Sequence, residues 1–396
     1  MKELLNKGMS RRSFVAASAL AGVAGLAGCS SSSSDDGSAS GSASTSETST
    51  SDAVVNVCIV TLDGVDDGSF NEACYEGMQA FLEEHDDCAI SDVKCGDYSE
   101  SISTVEELVG DYNTFVLPGY NFAACGDVAE ANPDVNFILI DSTATDSDGN
   151  AVTLDNVWTG TYCEEQAGIF AGVAAAMETS TNKVAVINGI AYPSNINYQR
   201  GFESGVSYAN AHYGTSAEVV EIASYSGGTD DDGNDIGGNY TGDFTDESAG
   251  KTVAEALIAE GVDVIFCAAG ASGNGAFTAI KESDGVYAIG VDTDQYDDGA
   301  NGDENIILTS ATKNLQDYVQ VELEAIYDGT FEGGDATLDM TSDPAGEGYV
   351  SEEGRQQLSD ETLAALEEVE AGLIDGTIVP ASSSNGYTPD DFPGLE

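Results

Sequence analysis

Short, unbroken apolar runs alternate along this chain with longer segments whose apolar positions recur every three or four residues. Residues 54–60, 89–93, 114–117 and 135–140 are runs of the first kind and predict strands. Between them, 69–85, 102–109 and 122–131 predict helices. In the first helix Phe70, Ala73, Cys74, Gly77, Phe81 and Leu82 share one face. Ser69, with Glu72 three residues on, predicts a capping box at its start. Strand–helix–strand repetition of this kind predicts a parallel sheet with helices on both faces.

A second series begins after Trp158. Helices are predicted at 164–177, 196–211, 248–260 and 273–282, with strands at 183–187, 218–222, 262–268 and 286–291. A strand at 306–309 and a helix at 315–327 follow, and a last helix at 360–374 ends near Gly376 and Pro380. Two such series predict an α/β protein of two doubly wound lobes, with the chain crossing between them more than once. The Gly/Asp/Asn-rich stretch 225–243 predicts an exposed loop. Its acidic run lacks the alternating ligands, central Gly and closing Glu of a calcium loop, and the DSDGN run at 146–150 reads as a turn.

The first residues stand apart from this pattern. Arg11-Arg12 precede a uniform apolar run at 15–28, shorter than the about 20 residues that a bilayer core needs. The start resembles a twin-arginine signal, and Leu26-Ala27-Gly28-Cys29 resembles a bacterial lipobox. The resemblance implies cleavage before Cys29 and lipidation of its thiol; an uncleaved helix and the general secretory route stay open as alternatives. Residues 29–52, rich in Ser, Gly, Thr and Asp, then predict a flexible tether between anchor and folded body. The folded body is expected to divide into one lobe from 53–160 plus 293–330 and another from 161–292 plus 331–396.

Charge narrows the function. The 396 residues carry 71 Asp and Glu against 11 Lys and Arg, a net charge of −60. Removing 1–28 takes away Lys2, Lys7, Arg11, Arg12 and Glu3, leaving seven cations against 70 acids and a charge of −63. No basic stripe exists for a nucleic-acid backbone or an anionic membrane surface. The same field repels phosphorylated or carboxylated ligands and favours a neutral one. Each remaining cation (Lys94, Lys183, Arg200, Lys251, Lys281, Lys313 and Arg355) is expected to have a structural or functional partner, Arg200 a structural one.

Catalytic chemistry finds little support. His85 and His212 are the two histidines, both placed near helix ends on the surface, and no G-x-S-x-G, H-E-x-x-H or P-loop occurs. Apart from Cys29, seven cysteines lack metal-binding spacing. Cys58, Cys74 and Cys267 read as small core residues, and Cys88 with Cys95 could pair across a short strand. No cofactor and no metal are expected.

Ligands of open α/β sheets bind beyond the carboxyl ends of the strands. There the chain places Asp63, Asp66, Asp67, Phe70 and Asn71; then Asp141; then Gly270, Gly273 and Gly275; then Asp292; then Ser310 and Lys313. These segments resemble the basic-membrane-protein (BMP) lipoproteins, nucleoside-binding receptors of ABC transporters that include the purine nucleoside receptor type. The resemblance rests on DDGSFNEACYEGM, ANPDVNFILID, EEQAGIFAGVAAAM, QRGFESG, AAGASGNGAF, AIGVDTDQ and TSATKN, and extends over about residues 54–380.

It implies a two-lobed type I periplasmic-binding-protein-like fold that captures a nucleoside, with a purine favoured, in the cleft between lobes. It further implies a monomer, lipid-anchored through Cys29 on the extracytoplasmic face of the cell membrane, that serves ABC permease subunits. Phe70 and Phe244 would stack on the base, with Asn71 bonding nearby. Asp63 and Asp141 would accept from base or sugar, Gly270 would admit the sugar, and Asp292 and Lys313 would hold ribose hydroxyls. Tyr240 could replace Phe244, and Asp66 or Asp67 could replace Asp63. A carboxylate can accept from both hydroxyls of a vicinal diol, which agrees with that assignment on chemical grounds.

Ordinary structural roles compete at each position: Phe70 as a core residue, Asp292 as a cap, Lys313 in a surface ion pair, and the glycines in a tight turn. Two other functions also stay open, a binding protein for a neutral sugar or autoinducer and an exported nucleoside hydrolase.

Overall fold

The computed structural model describes residues 53–229 and 235–396. The export signal, Cys29, the tether and the middle of the 225–243 loop lie outside the described residues. The first series is β1 (Asn56–Thr61), α1 (Phe70–Glu84), β2 (Ala89–Lys94), α2 (Ser101–Leu108), β3 (Thr114–Pro118), α3 (Gly126–Ala131), β4 (Asn136–Ile140) and β5 (Val157–Tyr162). The second is α4 (Glu164–Glu178), β6 (Lys183–Asn188), α5 (Pro193–His212), β7 (Glu218–Val219), α6 (Glu247–Ala259), β8 (Val264–Ala268), α7 (Ala271–Lys281) and β9 (Tyr287–Asp292). The small hairpin β10 (Ala300–Asn301) and β11 (Glu304–Asn305) leads into β12 (Ile307–Lys313). Then come α8 (Leu315–Tyr327), β13 (Gly334–Leu338), β14 (Glu347–Tyr349) and α9 (Asp360–Asp375). No helix among the described residues is long and apolar enough to cross a membrane.

Two six-stranded sheets result, ordered β13-β5-β4-β3-β1-β2 and β14-β12-β9-β8-β6-β7. The first is parallel throughout; in the second, β14 alone runs antiparallel, against β12. The central strands are buried on both faces, which is why they read as continuous apolar runs. In the first lobe α1 and α8 cover one face around Met78, Phe81, Val319 and Leu323, and α2 and α3 cover the other around Val105 and Val128. In the second lobe α4, α5 and α9 cover one face, and α6 and α7 the other.

The boundaries expected between the lobes differ from those found. Within 293–330, β12 hydrogen-bonds to β9 and so belongs to the second sheet; only α8 joins the first lobe. Within 331–396, β13 pairs with β5 in the first sheet before β14 returns to the second. The described chain therefore crosses at 162–164, 313–315 and 338–347. The cause is pairing between strands distant in sequence, which local patterning does not carry.

Smaller expectations also shift. Cys88 and Cys95 are free thiols at opposite ends of β2, and a six-residue strand, rising about 3.3 Å per residue, holds them too far apart to bond. His85 is half-buried rather than superficial, with Nε2 2.9 Å from a Glu324 carboxylate oxygen and its ring against Phe81 and Tyr327. His212 is exposed. The 225–243 stretch is only partly exposed, because Asn239 and Tyr240 are buried. The DSDGN run is a turn closed by N–H groups of Asp148 and Asn150 donating to Asp146.

α4 and α5 touch through glycines. A methyl group at Gly172 would lie 2.1 Å from the Phe202 carbonyl oxygen, and one at Gly205 2.3 Å from that of Ile169. Gly172→Ala should therefore lower stability by about 1–3 kcal/mol through overpacking. Gly110→Ala, where a methyl group meets nothing within 4 Å, is the control. Urea unfolding reads the difference, and equal midpoints would contradict the close helix contact.

Partly buried acids set the response to pH. Burial, reinforced by the neighbouring Glu164 charge, raises Glu165 from its ordinary 4.5 to about 8. Burial also raises Glu203 to about 7, against the opposing pull of Arg200, and Glu322 to about 7. Between the ordinary and raised values the folded chain holds more protons than the unfolded one, so stability falls as pH rises through that window. The melting temperature should be higher at pH 5 than at pH 8; a flat or rising profile would contradict these burials.

Candidate functional site

The loop after β1 is shaped by a single carboxylate. Asp67 accepts from the backbone N–H groups of Ser69, Asn71 and Glu72 and from the Asn71 side-chain amide, at 2.9–3.1 Å. It thereby satisfies the first turn of α1, the role that sequence spacing assigns to Ser69. The expected box does not form: Glu72 accepts from Gly68 N–H at 3.0 Å, while the Ser69 N–H it would have held goes to Asp67. Relieved of capping, the Ser69 hydroxyl donates to Asp292 of the other lobe at 2.9 Å. Phe70, the first residue of α1, packs at the edge of the first lobe's core and also faces the cleft.

The second lobe answers from its own strand ends. Gly270 caps the start of α7 with φ +54°, a conformation that a side chain would resist. The Phe244 ring lies against Gly189, where a methyl group would come within 2.1 Å of it, and 5.9 Å from the Tyr192 ring centroid. Its backbone N–H donates across the cleft to the Tyr98 hydroxyl at 3.3 Å. Asp292 closes β9 at φ +64°, matching Asp141 after β4 at φ +61°. Such left-handed backbone in a non-glycine residue is uncommon and concentrates at functional sites. Asp292 accepts from Tyr198 as well as Ser69, and its burial raises its pKa against the opposing pull of Lys313.

Lys313 joins the halves. Its ammonium is 2.8 and 2.9 Å from the two Asp141 oxygens and 3.1 Å from Glu164 Oε1, which occupies its three donors. The Phe70, Tyr162 and Tyr198 rings surround it, with centroids 5.1–5.5 Å away. Burial works against its charge, but Asp141, Glu164, Asp292 and Glu347 outweigh burial and hold its pKa above the ordinary value. The ion pair is thus a buried one between lobes rather than a surface pair. Further bridges close the rim: the Asn274 amide donates to the Asp67 carbonyl and the Gln295 amide to the Gly68 carbonyl, each at 3.1 Å.

Between these groups lies a cavity of about 340 Å³, within the size range of small-molecule sites. Asp63, Phe70, Asn71, Asp141, Phe244, Gly270, Asp292 and Lys313 all line it. Asp63 sits exposed at the mouth, 3.8 Å from Lys94. Asp66 and Asp67 line the same cavity, whereas Tyr240 lies outside it, its hydroxyl donating to Gln199. The cavity is also lined by Tyr120, Tyr192, Asn195 and Tyr198, which the sequence does not single out, and by Asn274 in the glycine-rich stretch after β8. The first four follow β3 and β6, so the strand-end rule, extended to those two strands, reaches them. Among the described residues no group of three or more His, Cys, Asp or Glu side chains is placed to hold a metal ion.

Comparison with known proteins agrees with this architecture. The model of the Bmp family, described as ABC transporter substrate-binding protein PnrA-like, matches residues 54–344. A "CD4+ T-cell-stimulating antigen" of Listeria monocytogenes is 30% identical over 334 residues, covering 80% of this chain and 84% of that protein. The "ABC transporter nucleoside-binding protein BmpA" of Lactococcus lactis is 28% identical over 344 residues, covering 81% and 86%. An ABC transporter solute-binding protein from Aeropyrum pernix superposes with a TM-score of 0.69 at 22% identity, covering 84% of this chain and 94% of that one, a likeness of fold. With its two parallel sheets, its interlobe cavity and a family match across most of its length, the chain belongs to the Bmp family of ABC transporter substrate-binding proteins.

Proposed function

We propose that the protein captures nucleosides, purine nucleosides foremost, in the cleft between its lobes and delivers them to the permease of an ABC importer. One observation carries this reading: two phenylalanines, two strand-end aspartates and a lysine, drawn from both lobes, line one cavity. Phe70 and Phe244 supply apolar faces for a flat heterocycle. Asp292 keeps acceptor capacity on both oxygens for sugar hydroxyls. Because Lys313 gives its donors to Asp141 and Glu164, a ribose hydroxyl meets the Asp141–Lys313 pair as a unit. The printed name of the Lactococcus lactis relative, a nucleoside-binding protein, supports the same ligand class.

Lobe closure would bury the ligand and present one shape to the permease. The body acts as a monomer tethered through lipidated Cys29 at the extracytoplasmic face of the membrane. Binding and release, without a covalent step, make up the activity.

Titration calorimetry tests the ligand class. A base stacked on two faces contributes about 1–3 kcal/mol per face, so free ribose should bind at least roughly 30-fold more weakly than inosine. Inosine monophosphate should bind more weakly than inosine, because six carboxylates line the cavity (Asp63, Asp66, Asp67, Asp141, Glu247, Asp292) and its two lysines, Lys94 and Lys313, already face acids. Ribose binding as tightly as inosine would favour a sugar receptor, and release of free base from inosine would favour a hydrolase.

Asp292→Asn is the decisive variant at the sugar end. Asn accepts the left-handed backbone that Ala resists, so the local fold survives. Inosine affinity should drop at least about tenfold through loss of the charged acceptor. Unchanged affinity would remove Asp292 from the site.

A further inference from the structure

Each of the three chain crossings carries a buried charged residue at the point where it enters or leaves the second lobe. Glu164 is the first residue of α4, Lys313 the last of β12, and Glu347 the first of β14. Their exposures are 2%, 3% and 3%. Glu164 grips Lys313 through one oxygen and accepts from the Asn197 amide through the other, at 3.0 Å. Glu347 is the cross-strand neighbour of Lys313, and neither of its carboxylate oxygens has a hydrogen-bond partner among the described residues. Neither glutamate lines the cavity. Asp141, which completes the shell of Lys313, comes from the first lobe.

From this arrangement we infer that Glu164 is a positioning residue for ligand capture, holding Lys313 at the hinge so that closure brings Asp141 onto a ready-made cation and latches the lobes. This rests on the reading of the cleft as a nucleoside site. Segments that cross between lobes move least when the lobes rotate, so Glu164 and Lys313 stay together whether the cleft is open or shut. Asp141 is the partner that arrives and departs.

The pairing answers two costs. A lysine left in this apolar surround without an acid tends to lose its charge. A free lysine stem would also have to be ordered at the moment of closure, a cost that prior immobilisation removes. Glu347 does not substitute for Glu164: neither of its oxygens bonds the ammonium, and burial raises its pKa above the ordinary value. Other groups acting on Lys313 are Asp292 from β9 and the rings of Phe70, Tyr162 and Tyr198.

The test is Glu164→Gln, which keeps shape and removes charge, followed by stopped-flow kinetics with inosine. Dissociation should accelerate at least about tenfold, as for loss of a charged hydrogen bond, while association changes less than about threefold, because most affinity changes lie in the off-rate. A purely structural role would instead lower the melting temperature and spare the ratio of these rates. A second measurement needs neither ligand nor kinetics. In 15N-lysine-labelled protein the wild type should show one solvent-protected ammonium resonance that vanishes in Lys313→Met and exchanges rapidly in Glu164→Gln.

Wild-type dissociation rates in Glu164→Gln, or a protected ammonium that survives that substitution, would overturn the inference alone. A wild-type protein that binds no nucleoside while its Lys313 ammonium depends on Glu164 would overturn the nucleoside reading and leave the hinge cradle standing.

Discussion

A lysine buried between two domains is unstable company unless acids meet it, and here the acids come from both sides. Lys313 holds Glu164 within its own lobe and Asp141 across the cleft. Taking an ammonium and its partners out of water costs several kcal/mol per ion before attraction and hydrogen bonds offset it. Such an arrangement is poor evidence for stability and better evidence for specificity of state. The halves can sit close only where the carboxylates and the ammonium are in register, so closure has one geometry. The hydroxyl of Ser69 on Asp292 and the amides of Asn274 and Gln295 on the 67–68 carbonyls extend that register along the rim.

The position of these groups follows from parallel-sheet geometry. Both sheets direct their carboxyl ends toward the cleft, so residues just past β1, β4, β8, β9 and β12 converge from different parts of the chain. Asp141 and Asp292 are equivalent in this respect, each at a strand end in left-handed backbone. The local strain, of order 1–3 kcal/mol for such a residue, is sustained by burial and by hydrogen bonds that fix each side chain. The acidity of the whole chain sharpens the effect. The scarce cations have partners: Lys183 donates to the Glu260 carbonyl, Lys251 pairs with Glu282, Lys281 donates to the Asp298 carbonyl, and Arg355 bridges Asp294 and Asp297.

Much of the fold was legible because buried parallel strands leave an unmistakable trace. Strands such as NVCIVT and TFVLP are buried throughout and apolar along their middles, and the helices between them carry clear periodic faces. The strands that escaped are the polar ones. GDATL and EGY have little apolar continuity because they lie at sheet edges, where pairing rather than side-chain burial defines them, whereas VWTGTY is buried but broken by Thr and Gly. Their loss also hid the lobe boundaries, since β13 and β14 sit close in sequence but in different sheets. Within the site, Phe70, Asp141, Asp292 and Lys313 were visible as strand-end residues, reinforced by family resemblance. Glu164 was not, because a glutamate in the first turn of a helix reads as an ordinary dipole partner. The Ser69–Glu72 spacing misled in the opposite way: Asp67 offered a better acceptor two residues earlier and freed Ser69 for a longer-range contact.

A crystal structure grown with inosine tests the central claim most directly. The account expects the base between Phe70 and Phe244, the ribose hydroxyls on Asp292, and Lys313 still bridging Glu164 and Asp141. A nucleoside found outside the cleft, or a closed protein in which Lys313 has left Asp141, would contradict it.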